Sequence, residues 1–521
     1  VTEPHDVDDV IGPDDDDDDG DRDDVVELDD EDGDEYDLLD DDPYADYDGY
    51  GDEDDPADED DEREVDTAEL DAAEAAGGIS VAGDGAEDIA PSSMAPDLSA
   101  YTVDISTGEV TDVPAVATPV QADLAAQLSG SMPLLLLAKS AQKAGHLPEV
   151  AQVATRVTGG AVGVGVVLRL PSHTAAAAAA FLARFGSSPV RLADPDLYRA
   201  PSHGSPDKAI GVRTVKWHPW LANAPAPSSS TDTAWVGTVL QKQIDAGATV
   251  MLSATGWVGA TNGAIELGHA RRWVAASRAA ARPSTPMFVN LTMDRAWLTD
   301  SNLRSLLLQE LVESNERLWY LRFRWPVTNP RYGQLRDAAV LDGYKLLAVT
   351  AALEGKVLVL PNSGLTGWVA TALGATGFST GMSWGEQAYA DPRIVSARKG
   401  EPPPPPTLRL FERSLLHTVD HASHVALMAQ QDYLLCRCRY CQALGAHTQS
   451  PARWDRETAG LHYLLRVARL TAMLNGPARR TEATREVLRA QQFLKATATT
   501  AAAPTGNNAP AHLSEWYRLL L

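Results

Sequence analysis

Val357-Leu-Val-Leu360, Trp368-Val-Ala-Thr-Ala-Leu373 and Gly377-Phe-Ser-Thr380 follow one another closely: a strand-length run, a helical stretch, then a second strand-length run. That order is a βαβ unit, in which a helix carries the chain back so that two strands can pair in parallel. Working outward, the same rhythm recurs. Strand-length runs fall at 162–170, 190–193, 212–217, 249–253, 287–291, 318–324, 357–360 and 377–380, with helical stretches at 175–185, 235–246, 266–281, 303–314, 332–353 and 368–373. Most of these strands are continuously apolar rather than alternating, so both of their faces should be covered. Eight such units between residues 126 and 400 suit an α/β fold of the (β/α)8 TIM-type barrel class. The glycines of Gly159-Gly160-Ala-Val-Gly163-Val-Gly165 open a strand rather than a helix, so they suit close packing better than dinucleotide binding.

The flanks have a different composition. Residues 1–77 hold 40 Asp or Glu against Arg22 and Arg63, a formal charge of −38, so the remainder carries +7 within the net −31 of the chain. So dense a charge with so few apolar residues predicts a disordered acidic tail. It serves either as a solubility tail or as a nucleic-acid mimic that screens weak phosphate binding by the basic body. Residues 78–125 read as a linker with one edge strand near 101–105. Pro402 to Pro406 cannot belong to a helix and ends the barrel. Residues 401–521 then form a helical subdomain, with helices expected at 408–435, 460–474 and 479–494. From Cys436 onward this part has 12 Lys or Arg against five Asp or Glu.

All three cysteines lie in Cys436-Arg-Cys438-Arg-Tyr-Cys441. No disulfide framework can be built from them, and a reducing compartment fits. Thiolates so spaced can wrap one ion on a tight turn, and Zn2+ asks for four such ligands at tetrahedral corners. His462 is the expected fourth ligand and His447 the alternative; His417, His421 and His424 read as a polar helix surface. The apolar run Met132 to Ala138 is too short to cross a bilayer, and no charged segment followed by an apolar one opens the chain. A cytoplasmic protein without a membrane contact is expected; a homodimer or a heteromer is compatible with the sequence.

A barrel followed by Cys-x-Cys-x-x-Cys and a downstream histidine resembles the tRNA-guanine transglycosylase family, over about residues 160–475. Gly374-Ala-Thr-Gly-Phe-Ser-Thr380 stands where that family places its nucleophile segment, and Leu461-His462-Tyr-Leu-Leu-Arg-Val467 resembles its helix after the cysteines. The resemblance implies a structural zinc subdomain on a (β/α)8 barrel. It also implies exchange of guanine for a 7-deazaguanine in tRNA or, for some relatives, in DNA, with one aspartate as nucleophile and another as general acid/base.

The departures are specific. Ser379 stands at the expected nucleophile position, Ser253 ends a strand where an acidic residue is usual, and Leu474 precedes Asn475 where the family's metal histidine usually stands. A serine without a base cannot readily replace a carboxylate that must attack a ribose carbon and later leave it. Candidate catalytic residues are therefore other strand-end carboxylates, Asp194 and Asp294, with Asp196 and Glu386 beside them; helix capping is the competing role. Asn290 could read a base edge, and Arg322 and Arg324, next to Trp325, could grip phosphate or form a rim ion pair. Phosphate-loop, zinc-protease and nucleophile-elbow motifs are absent. Three functions remain: a transglycosylase-like enzyme on nucleic acid, a zinc-bearing barrel that only binds nucleic acid or a partner, and an unrelated barrel enzyme on a small metabolite.

Overall fold

The computed structural model describes residues 101–103, 110–112, 123–139, 145–200, 223–226, 232–326, 333–390, 408–448 and 453–521. Two short strands, β1 (Tyr101–Val103) and β2 (Val110–Asp112), pair as an antiparallel ribbon in the expected linker. The barrel strands are β3 (Leu134–Lys139), β4 (Gly163–Arg169), β5 (Arg191–Asp194), β6 (Met251–Leu252), β7 (Trp257–Val258), β8 (Met287–Asp294), β9 (Leu318–Arg324), β10 (Val357–Leu360) and β11 (Gly377–Thr380). They run in the order β5-β4-β3-β11-β10-β9-β8-β6, all parallel, with β7 also on β8.

The ends of this order nearly meet. Thr249 N–H donates to the Arg191 carbonyl at 2.9 Å, and Arg191 N–H donates to Thr249 Oγ1 at 2.9 Å. The wall is therefore an almost closed eight-strand barrel, a TIM-like α/β architecture. The strands expected from sequence do not include its first one: Leu134–Lys139 pairs with both β4 and β11 and joins the two ends of the chain's strand series. The expected strand at 212–217 lies outside the described residues, as does Pro402 to Pro406.

β6 and β7 are two pieces of one broken strand. Leu252 faces Phe288 and Trp257 faces Thr292, so five steps on one side match four on the other, a bulge. Ser253 and Thr255 fill the break: Ser253 Oγ accepts the Asn290 N–H at 2.9 Å, and Thr255 Oγ1 donates to the Asn290 carbonyl.

Alternate residues of each strand point inward. Leu134, Leu136, Val167, Leu192, Val250, Leu252, Phe288, Leu318, Tyr320, Val357 and Val359 fill the lower lumen as one buried cluster. The opposite faces, among them Val289, Leu291, Leu321 and Phe323, pack on the surrounding helices. Burying each such side chain contributes about 1.5–3 kcal/mol. Gly165 marks a close approach: a Cβ there would lie 2.6 Å from the Val190 carbonyl and 2.7 Å from Leu136, so only glycine fits.

Beyond the barrel, the expected helix at 408–435 is instead a hairpin, β12 (Arg409–Glu412) with β13 (His417–Asp420), followed by the helix His421–Met428. Leu410 and Val419, register partners in this hairpin, are both buried, and Leu416 at φ +50° turns the chain between the strands. Helices Arg456–Ala472, Arg479–Thr497 and Leu513–Leu520 complete the module. The first docks on the barrel: Trp368 Nε1 donates to the Leu470 carbonyl at 2.9 Å, and Thr380 and Tyr463 hydroxyls lie 2.7 Å apart. Among the described residues no helix is long and apolar enough to cross a membrane.

Candidate metal centre and barrel mouth

Cys438 ends an extended segment and caps the short helix Arg439–Ala443, its sulfur accepting the Cys441 N–H at 3.5 Å. That turn brings two sulfurs to one side. Cys436 approaches from the preceding extended chain, and His462 projects from the helix Arg456–Ala472. The four ligand atoms all lie within 4.8 Å of one another. His462 Nδ1 is 3.3 Å from Cys438 Sγ and 3.2 Å from Cys441 Sγ. A tetrahedral zinc with sulfur and nitrogen ligands separates its donors by about 3.5–3.8 Å, so a slight spreading of these atoms would seat an ion, and a set of three sulfurs and one nitrogen suits zinc.

The surroundings are arranged for a cation. His462 Nε2 donates to the Phe411 carbonyl at 3.0 Å, which fixes the tautomer that leaves Nδ1 as a ligand. Burial opposes charge on His462, but the sulfurs of Cys438 and Cys436 outweigh it and push the imidazole up to about 10. Hydrogen bonds from Cys438 and Cys441, with the Arg466 guanidinium, pull the Cys436 thiol well below its ordinary range. His447 is exposed and stands outside the cluster.

The three upstream histidines do not form a polar helix surface. His417 is in β13, and His424 is buried, its Nδ1 paired with Glu412 and its Nε2 2.5 Å from the Ala446 carbonyl just beyond the cysteine turn. Tyr433 donates to the same carboxylate at 2.9 Å, so Glu412 clamps the segments before and after the cysteines. His421 stacks edge-on with Trp454, ring centres 4.8 Å apart. The sequence signal for this clamp is weak, because Glu412 falls inside the expected helix.

The second cluster lies at the C-terminal ends of the barrel strands. Arg322 reaches from β9 across the lumen: Nη2 pairs with Asp194 Oδ2, Nε donates to Asn362 Oδ1 at 2.9 Å and Nη1 to Thr292 Oγ1 at 3.1 Å. Its guanidinium carbon lies 4.4 Å from the centre of the Tyr198 ring. Asp194 Oδ1 accepts the Asp196 N–H at 2.9 Å, and Asp196 pairs in turn with Arg169 and, at 3.5 Å, Arg199. Asn362 N–H donates to Ser379 Oγ at 2.8 Å. A continuous network thus runs from Ser379 to Arg169 over the barrel's filled base.

Charges in this network are held fixed. Burial disfavours the Arg322 cation, but Tyr198, Asp194, Tyr320 and Asp196 hold its pKa above the ordinary value. Burial works against the Asp196 carboxylate too, and Arg169, Arg199 and Arg322 outweigh it and keep its pKa low. Burial pushes the Tyr198 phenol up to about 12, so it remains a donor. Asp196 at φ +57° and Asn362 at φ +48° adopt left-handed backbone, which stores about 1–3 kcal/mol per residue and recurs at binding sites.

The other expected residues divide. Asn290 is a buried lumen residue one layer below Thr292; its Oδ1, like Oη of its register partner Tyr320, has no hydrogen-bond partner among the described residues. Arg324 is buried on the rim, in register with Asp294. Asp294 Oδ1 accepts the Ala296 N–H at 2.8 Å, a capping geometry, and Glu386 closes a capping box with Ser383. Trp325 is core, its Nε1 2.8 Å from the Tyr344 hydroxyl. The structure therefore joins Asp194 and Arg322, leaves Asp294 outside their hydrogen-bond network, and adds Tyr198 and Asn362. Tyr198 is four residues past Asp194, which is the one signal the sequence offers for it. In comparison with known proteins, no family model and no curated protein matches this chain.

Proposed function

We propose that the chain is a zinc-bearing, transglycosylase-like barrel that works on nucleic acid, tRNA or DNA, exchanging a guanine-type base for a 7-deazaguanine at the barrel mouth. The supporting observation is the pairing of Asp194 with Arg322 inside the lumen, at the strand ends where barrel enzymes assemble their sites. Base displacement needs an ionised carboxylate to attack the sugar carbon as the glycosidic bond breaks; a second nucleobase then displaces that carboxylate. Asp194 is the carboxylate for that role in this reading, with Arg322 holding it in place from across the lumen. Asn290 and Tyr320 supply polar edges beneath it. Ser379 takes no chemical part, and the centre of three cysteines and one histidine, with zinc bound, ties the cysteine turn to the helix Arg456–Ala472, which docks on the barrel.

A binding-only form of the same protein is favoured by one feature: both Asp194 oxygens are already engaged, one by Arg322 and one by the Asp196 N–H. Mass spectrometry of nucleosides from cells with and without the gene separates the two. The enzyme reading expects a modified 7-deazaguanine nucleoside that disappears with the protein and with the Asp194→Asn variant. An unchanged nucleoside profile, with nucleic-acid binding intact, leaves the binding-only form.

A further inference from the structure

Where the helix Arg456–Ala472 meets the segment after β11, a cavity of about 60 Å³ lies between barrel and zinc module. Its walls include Gln387 from the barrel, Arg409 and Thr418 from the hairpin, and Arg456 and Tyr463 from the helix. Among the wall atoms, Gln387 Oε1 and Thr418 Oγ1 are buried and have no hydrogen-bond partner among the described residues. Their residues are only 5% and 8% exposed. Gln387 Nε2 donates to the Gly381 carbonyl at 3.2 Å, which identifies Oε1 as the unsatisfied acceptor. Buried polar atoms left so are costly, so a partner is expected.

The chemistry of that partner follows from the two atoms. The amide oxygen requires a donor, while the threonine hydroxyl can give or take a proton, and one ligand hydroxyl satisfies both. The cavity has room for a hydroxyl-bearing edge and a few waters, and is too small for a base. At its entrance Arg456 is exposed and opens a long helix, whose first N–H groups add positive charge. Two carboxylates stand beside it: Asp455 caps that helix by accepting the Thr458 N–H at 2.8 Å, and Glu457 lies in its first turn.

We propose that this cavity is a ribose subsite for a strand entering the barrel mouth: a 2′-hydroxyl donates to Gln387 Oε1 and accepts from Thr418 Oγ1, while the adjoining phosphate meets Arg456. The inference rests on the nucleic-acid reading above and answers a question that reading leaves open. The 2′-hydroxyl is the group by which a protein tells RNA from DNA, so the subsite selects RNA.

The test uses the full chain and fluorescence anisotropy at fixed salt, with one stem–loop oligonucleotide prepared in ribo and all-2′-deoxy forms. The expected result is about tenfold tighter binding of the ribo form, equal to about 1.4 kcal/mol. Thr418→Val and Gln387→Met should each remove most of that preference while leaving deoxy affinity unchanged. Arg456→Gln should weaken both forms alike and lower the salt slope by about one. Equal binding of the two forms by the unmodified protein would mean that the cavity holds water only, and would overturn the subsite. A preference that survives both polar variants would do the same. Binding of neither form would instead sink the nucleic-acid reading itself.

Discussion

Arg322 and Asp194, 128 residues apart in sequence, form a buried ion pair across the barrel lumen, each less than 10% exposed. Such a pair is a poor source of net stability, since two charges had to leave water, but removing one partner strands the other. Arg322→Met should therefore cost about 3–5 kcal/mol in urea denaturation. Adding Asp194→Asn to that variant should restore part of the loss. If the double variant is as unstable as the sum of the two single ones, the residues are not coupled.

The clamp beside the cysteines gives a second expectation. Glu412 serves both His424 and Tyr433 in a buried setting. Glu412→Gln keeps the shape but removes the charge, and should loosen the cysteine turn. The readout is zinc release to a chromogenic chelator, expected to be about 10-fold faster, by analogy with groups that hold a metal site in place from outside its ligand shell. An unchanged release rate would show that the clamp has no hold on the centre.

Acid should destabilise the hairpin and the C-terminal helix together. His417 and His512 are buried with ring centres 5.5 Å apart. Burial, the largest effect, holds His417 at about 4 and His512 well below its ordinary value, with His417 opposing a charge on His512. The folded pKa values lie below the unfolded one, so the unfolded chain binds more protons in between. Stability is full above about pH 6.5 and falls as pH drops toward 4, by on the order of 3 kcal/mol from His417 alone. Denaturation midpoints at pH 7.5 and 5 should differ, and His417→Gln should reduce the difference.

The acidic segment offers a separate test. If residues 1–77 act as a phosphate mimic, their removal should raise non-specific affinity for duplex DNA most strongly at low salt. Comparison of salt titrations with and without the segment checks this. Identical curves would leave it a solubility tail.

Parallel strands buried on both faces leave a strong imprint, which is why the apolar runs of β8 to β10 are legible in the sequence. β3 is not, although Leu134 to Leu137 is as apolar and β4 is the next strand along, because a short apolar run does not by itself separate strand from buried helix, and its pairing with β11 is set only by closure of the barrel. The hairpin β12–β13 reads as helix because its strands are only four residues long, too short for an alternating pattern to outweigh a helical one. His462 can be selected through cysteine spacing, since a metal ion constrains ligand types locally. The Asp194–Arg322 pair cannot, because both residues have capping or rim roles available and their meeting depends on the whole barrel.

Everything proposed for the C-terminal module depends on Cys436, Cys438, Cys441 and His462 binding one zinc ion and thereby tying the cysteine turn to the helix that docks on the barrel. Elemental analysis combined with X-ray absorption at the zinc edge, on protein purified without chelator, tests this most directly. The expected result is one zinc per chain in a shell of three sulfurs at about 2.3 Å and one nitrogen at about 2.0 Å. Metal well below one equivalent, or a shell dominated by oxygen and nitrogen, would contradict it.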